Sequence, residues 1–188
     1  IARDASLRGF KTALLEKGDF ASGTSSKSSK LIHGGLRYLE QLEFKLVHEA
    51  CRERRILLKI APHIVKPIRF IIPIYKDDSK GPFLIKCGMV LYDLLASFRN
   101  VKCHKMISRE DVLALEPNLK RDGLLKGALY YDCYMNDSRL CLENILSAAQ
   151  SGAVCVNYVK AVGFIKEGLK IKAVKVKDMI SNETFEVR

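Results

Sequence analysis

The chain has 188 residues, enough for one large domain or two small ones. Its 48% hydrophobic and 28% charged content is ordinary globular usage, which excludes a disordered or fibrous chain. Lys and Arg number 32 against 21 Asp and Glu, a formal charge of +11. That excess suits a phosphate-bearing partner or a membrane surface, or is simply a basic skin.

Ile1 to Gly9 reads as the end of a helix closed by its glycine. No signal-peptide pattern opens the chain, and Thr184 to Arg188 stops inside a strand pattern, so the chain is expected to be a piece of a longer protein. Lys11 to Lys17 is a short apolar run ending in an acid, as in a buried parallel strand, and Gly18 to Ile32 is a loop of small residues. Tyr38 to Ala61 predicts one long helix ended by Pro62, with Leu39, Leu42, Leu46, Ala50, Leu57 and Ile60 as its apolar stripe. Glu53 falls on that stripe, either as a functional carboxylate or as an edge acid paired with an Arg.

Pro67 to Tyr75 predicts a strand, at an edge or with a bulge because of Pro73, and Lys76 to Gly81 a polar turn. Pro82 to Phe98 is an amphipathic helix, too short and too charged for a membrane span. Ser108 and Asp111 form a capping box that opens a helix closed by Pro117. Leu124 to Met135 reads as a strand, and Asn136-Asp137 caps a helix from Ser138 to Ser151 that ends at Gly152. Residues 153–165, 169–178 and 183–188 predict a β-meander. The six Cys and four His are scattered without a C-x-x-C pair, so no metal site is expected and the thiols are expected to be free.

Two features carry chemistry. Glu16 ends the first predicted strand, where a dinucleotide-binding βαβ unit places a carboxylate that accepts from ribose hydroxyls, although an acid at a strand end is commonplace. No G-x-G-x-x-G occurs, which fits a chain that begins just after such a loop. Gly23-Thr-Ser-Ser-Lys-Ser-Ser-Lys-Leu-Ile-His-Gly-Gly-Leu-Arg-Tyr-Leu39 is the denser signal. Hydroxyls and bare amides donate to a pyrophosphate without crowding it. Gly34-Gly35 lets the backbone run flat against a planar ring, and Arg37 offers a fixed cation. By composition alone the block also reads as a Ser-rich linker with a Gly turn.

That block closely resembles the FAD-dependent glycerol-3-phosphate dehydrogenases, flavin enzymes that pass electrons to quinone. The similarity continues through Arg3-Asp4-Ala5, Arg8-Gly9, Ala13 to Phe20, Glu49-Ala50, Glu53-Arg54, Ile60-Ala61-Pro62-His63, Leu91-Tyr92-Asp93, Tyr131-Asp132 and Asn136 to Leu140. It implies an α/β (α+β) fold: a Rossmann-like FAD-binding domain of the glutathione-reductase/D-amino-acid-oxidase type with a mixed or antiparallel substrate-domain sheet, both truncated. The expected segments are 1–65 in the FAD domain, 66–135 in the substrate domain and 136–188 returning to the FAD domain.

The resemblance implies FAD contacts for Glu16 (ribose), for Thr24, Ser25, Ser28 and Ser29 (diphosphate and ribityl chain), and for Leu31, Ile32, His33, Gly34 and Gly35 beside the ring. Arg37 and Tyr38 match substrate-side positions, and Arg139 is a further substrate candidate or simply the start of a capped helix. His33 is not assigned as a base, and no catalytic base is named.

The implied reaction moves hydride from C2 of sn-glycerol 3-phosphate to the flavin, giving dihydroxyacetone phosphate, with quinone as the next acceptor. The implied setting is the cytoplasm, peripheral on the inner face of the cytoplasmic membrane, or the mitochondrial inner membrane in a eukaryote. The basic excess and segment 82–98 would face anionic lipid there. A homodimer is left open and no nucleic-acid partner is expected. The 188 residues alone are expected to bind FAD poorly and to lack dehydrogenase activity. The alternatives are a related amine-oxidising flavoprotein and a basic, non-enzymatic membrane- or nucleic-acid-binding module.

Overall fold

A computed structural model describes residues 1–97 and 100–188. In chain order its elements are α1 (Ala2–Leu7), β1 (Ala13–Leu15), β2 (Leu31–Ile32), α2 (Phe44–Ile60), β3 (Lys66–Tyr75), α3 (Pro82–Leu95), β4 (Lys105–Ser108), α4 (Arg109–Leu115), β5 (Leu124–Tyr134), α5 (Asp137–Gln150), β6 (Val154–Val156), β7 (Val159–Glu167), β8 (Lys170–Asp178) and β9 (Thr184–Val187). The result is a mixed α/β protein with parallel and antiparallel pairing. It divides into two compact units, Ile1–Ser29 with Asn136–Arg188, and Lys30–Met135. Residues 30–65, grouped with 1–29 in the sequence reading, therefore pack with 66–135, through β2 pairing with β5 and α2 lying on α3.

In the first unit, Gly9 at φ +84° ends α1 and β1 runs parallel to β6, with Ala13 opposite Val154. The expected burial of β1 is not met, since Ala13 is exposed and Leu14 and Leu15 are half-buried. Asn136 caps α5 by accepting from the Arg139 N–H at 3.2 Å. The expected meander is shorter than drawn. Residues 154–156 join β1, Tyr158 turns the chain at φ +56°, and β7, β8 and β9 form the antiparallel sheet.

In the second unit, β5 is the central strand: β3 pairs along one side, β2 and β4 along the other. β3 is thus an edge strand, as Pro73 requires, and its register shifts just beyond, between Ile74 and Tyr75. The two faces of β5 alternate. Ala128 and Tyr130 pack with Val47, Cys51, Met89 and Tyr92 of α2 and α3, whereas Leu129 packs with Ile107 and Val112, joined by Leu124 from beyond the register shift. The Ser108–Asp111 capping box is present and opens α4. Of the expected helix 82–98, α3 accounts for 82–95, and Phe98 lies outside the described residues.

The single long helix expected over Tyr38–Ala61 is interrupted. Leu36–Gln41 forms a 3-10 turn, Leu42 adopts φ +60°, and α2 begins only at Phe44. The Glu43 N–H donating to the Tyr38 carbonyl closes the first piece. The break rotates the helix relative to the expected stripe: α2 buries Val47, Cys51 and Arg54, while Leu42, Leu46, Glu53 and Ile60 are exposed.

Candidate functional site

β2 has only two residues, but pairing Ile32 with Cys133 delivers the chain beside Asp132 of β5. The period of two puts Asp132 on the same face as Ala128 and Tyr130, toward α2 and α3. There it is 2% exposed, as is Arg54, and the two form a buried ion pair. Asp132 Oδ1 also accepts from the Tyr92 hydroxyl (3.1 Å) and from the Gly34 N–H (3.0 Å). The Arg54 guanidinium donates to the Tyr92 oxygen at 2.9 Å and to the Tyr131 carbonyl at 3.3 Å. Burial pushes the Tyr92 hydroxyl far up from its usual range, so it stays protonated. Behind Arg54 the polar chain continues to Asn100, whose amide donates to Asp93 Oδ1 at 2.6 Å, and Asp93 Oδ2 lies 2.7 Å from the His104 ring.

This cluster fixes the Gly34-Gly35 turn. A Cβ on Gly34 would lie 2.0 Å from Tyr92 Oη and 2.7 Å from Cys51 Sγ, so the residue must be glycine for the packing behind it. Gly35 holds φ +77° and starts the 3-10 turn that carries Arg37 and Tyr38. His33, Gly35, Arg37, Tyr38, Tyr130 and Asp132 line one open cavity of about 400 Å³. The His33 and Tyr38 ring centres are 6.3 Å apart. Burial, with the Asp132 charge nearby, pushes the Tyr130 phenol up to about 12.

In the first unit, Glu16 sits at the carboxyl end of β1, its Oε1 accepting from the Gly18 N–H at 2.9 Å. It lines an open cavity of about 400 Å³ with Arg3, Leu14, Phe20, Cys141 and Asn144. A carboxylate at the end of a parallel strand, facing an open cleft, is the acceptor that ribose hydroxyls need. Thr24–Ser26 form a 3-10 turn, and the loop is tied to the start of α5: Ser138 Oγ donates to the Ser25 carbonyl at 3.2 Å and Ser28 Oγ to Asp137. Thr24, Ser28 and Ser29 are exposed. Arg139 forms an ion pair with Glu143 at 2.7 Å along α5.

The named residues thus fall into two groups. Glu16, Thr24, Ser25, Ser28, Ser29 and Arg139 belong to the first unit, and Leu31 to Gly35 with Arg37 and Tyr38 to the second. The first group carries a carboxylate and a run of hydroxyls, and in the second the Gly34-Gly35 backbone makes a turn without side chains. The sequence reading missed the roles of Arg54, Tyr92, Asp132, Asp137 and Ser138. All five lie in runs that carried the family resemblance, and Arg54 had a further signal: a charged residue spaced seven from Val47 and three from Cys51, on the face that α2 buries. Among the described residues, no three His, Cys, Asp or Glu side chains gather as a metal site.

The sequence pattern of the FAD dependent oxidoreductase family matches residues 1–186. A glycerol-3-phosphate dehydrogenase of Synechocystis is 47% identical over 188 residues, 99% of this chain and 34% of that protein. An alpha-glycerophosphate oxidase of Streptococcus pneumoniae is 43% identical over 192 residues, 100% of this chain and 32% of that protein. The crystal structure of the Bacillus halodurans glycerol-3-phosphate dehydrogenase complexed with FAD superposes with a TM-score of 0.69 at 31% identity, covering 99% of this chain and 29% of that one. The chain therefore spans about a third of the length of the curated relatives it matches.

Proposed function

Because the chain belongs to the family of FAD dependent oxidoreductases, we propose that the protein carrying it oxidises glycerol 3-phosphate to dihydroxyacetone phosphate with FAD as its cofactor. The observation that carries this reading is the cavity ringed by His33, Arg37 and Tyr38 on a glycine turn held from behind by a buried ion pair. Relatives named for glycerol phosphate oxidation, 43–47% identical along the chain, supply the substrate.

FAD, when bound, supplies a two-electron acceptor; the residues of this chain bind and orient. Glu16 would hold the ribose hydroxyls, and Thr24, Ser25, Ser28 and Ser29 the diphosphate and ribityl chain. Leu31 to Gly35 would hold the ring. Arg37, a planar fork of donors on the cavity wall, engages the phosphate of the substrate through two hydrogen bonds, and Tyr38 closes the wall beside His33. Held this way, C2 is presented for hydride loss, and the protein's contribution is position and charge.

Anaerobic addition of glycerol 3-phosphate to the FAD-loaded protein is expected to bleach the flavin absorbance near 450 nm. Retention of the oxidised spectrum in excess substrate would sink the reading. The same experiment chooses the acceptor. Quinone is proposed, so the bleached spectrum recovers on adding a quinone analogue faster than on adding oxygen. Faster recovery in oxygen, with hydrogen peroxide formed, makes the protein an oxidase instead, as one relative's name has it.

Delivery of electrons to quinone brings the protein to the inner face of the cytoplasmic membrane, or to the mitochondrial inner membrane, as a peripheral protein. Among the described residues no helix is long and apolar enough to cross a membrane. α3 leaves Phe83, Leu84, Val90 and Leu94 exposed along one stripe, which supports shallow insertion. Anionic liposomes are expected to co-sediment the protein, and Phe83→Asp with Leu94→Asp to reduce the bound fraction severalfold. Equal binding by that variant removes α3 from the contact.

A further inference from the structure

Asp132 uses its two carboxylate oxygens unequally. The residue is 2% exposed, yet it lines the cavity shared by His33, Arg37 and Tyr38. Every hydrogen bond it accepts, from the Gly34 N–H, the Tyr92 hydroxyl and the Arg54 guanidinium, falls on Oδ1. Among the described residues Oδ2 accepts none. Oδ2 is therefore the oxygen left free to accept, and the cavity is the side from which a donor can arrive. The same wall carries Arg37, an exposed cation. A ligand that satisfies both has an anionic end for Arg37 and a hydroxyl for Asp132.

We propose that Asp132 binds a hydroxyl of the substrate through Oδ2 while Oδ1 holds the Gly34 turn. Arg54, which is outside the cavity lining, is a positioning residue: it pairs with the carboxylate and keeps it aimed, and acts on the ligand only through Asp132. The identity of the substrate rests on the glycerol 3-phosphate reading above. The hydroxyl-accepting role rests on Asp132 itself.

The test uses the complete FAD-loaded protein, reduced with dithionite so that binding proceeds without turnover. Calorimetry compares glycerol 3-phosphate with n-propyl phosphate, which lacks both hydroxyls. The wild type is expected to prefer the hydroxylated ligand by about tenfold or more, the range of a hydrogen bond to a charged group. Asp132→Asn is expected to abolish most of that preference, read as the ratio of the two affinities measured on the same protein. Because Asp132→Asn strands a buried guanidinium, the double variant Arg54→Met/Asp132→Asn, free of both charges, is measured beside it, with the same loss expected. Arg54→Lys keeps the preference and Arg54→Met loses it. A preference that survives in Asp132→Asn or in the double variant, or a wild type that does not distinguish the ligands, overturns the assignment. One that survives in Arg54→Met overturns the positioning role. A wild type that takes up neither phosphate overturns the glycerol 3-phosphate reading alone, and glycerol against propan-1-ol then makes the same comparison.

Discussion

Gly34→Ala is expected to destabilise the unit formed by residues 30–135 by about 3 kcal/mol, the upper range for overpacking a filled interior. The added methyl would sit 2.0 Å from Tyr92 Oη and 2.8 Å from Tyr92 Cζ, inside van der Waals distance. Tyr92 has no easy retreat. It is 1% exposed, its hydroxyl joins Arg54 to Asp132, and its ring meets Tyr130 edge-on at 6.3 Å. Adding Tyr92→Phe removes the nearest atom, so the double variant should lose less than the sum of the single losses. Urea unfolding of the four proteins reads the effect. A Gly34→Ala protein within about 0.5 kcal/mol of wild type would show that the turn relaxes freely.

The second large effect is the isolated removal of either buried charge. Arg54→Met is expected to cost about 3–5 kcal/mol, because it leaves the Asp132 carboxylate buried without its cation. Asp132→Asn has the converse defect. The two together cost less than their sum, since the expense lies in the uncompensated charge and not in the pair itself. A double variant whose loss equals the sum would mean that Arg54 and Asp132 contribute independently, through packing alone. These predictions separate two roles of one cluster: its contribution to stability, read in denaturant, and its presentation of Asp132 to the cavity, read by ligand discrimination.

What could be read in advance was local. The capping box needed only Ser108 and Asp111, three residues apart, and the α5 cap only Asn136 and the donor at Arg139. Pro73 announced an edge because a residue without an N–H cannot serve a ladder on both sides. What stayed hidden depends on distant partners. β2 is two residues of no distinctive pattern and exists because β5 stands beside it. β6 was drawn into the meander because nothing in Val154 to Val156 says that Ala13 to Leu15 lie alongside. Leu42 takes a left-handed conformation that its side chain disfavours, so periodicity ran through the break and named the wrong stripe.

The candidate site shows the same division. Gly34-Gly35 was legible as a place where side chains are not tolerated, but the expected reason was a flat ring in front, and the structure adds Tyr92 and Cys51 behind. Arg54 was legible only as part of a family-like Glu53-Arg54 pair, with no partner assigned. Only the pairing of β2 with β5, and of both with α2 and α3, reveals it as the buried counterpart of Asp132.

The central place of β5 has a consequence for how the protein is made. β2, β3 and β4 all hydrogen-bond to β5, and β5 is the last of them to leave the ribosome. Until residue 134 emerges, about a hundred residues of that unit have no sheet to join, and the apolar run Phe70 to Ile74 waits without its partner strand. The first unit waits longer still, because β1 pairs only when β6 has been synthesised. Nascent chains stalled before residue 124 should therefore be protease-sensitive and held by chaperones, and those released beyond 134 should gain protection of residues 30–135 in one step.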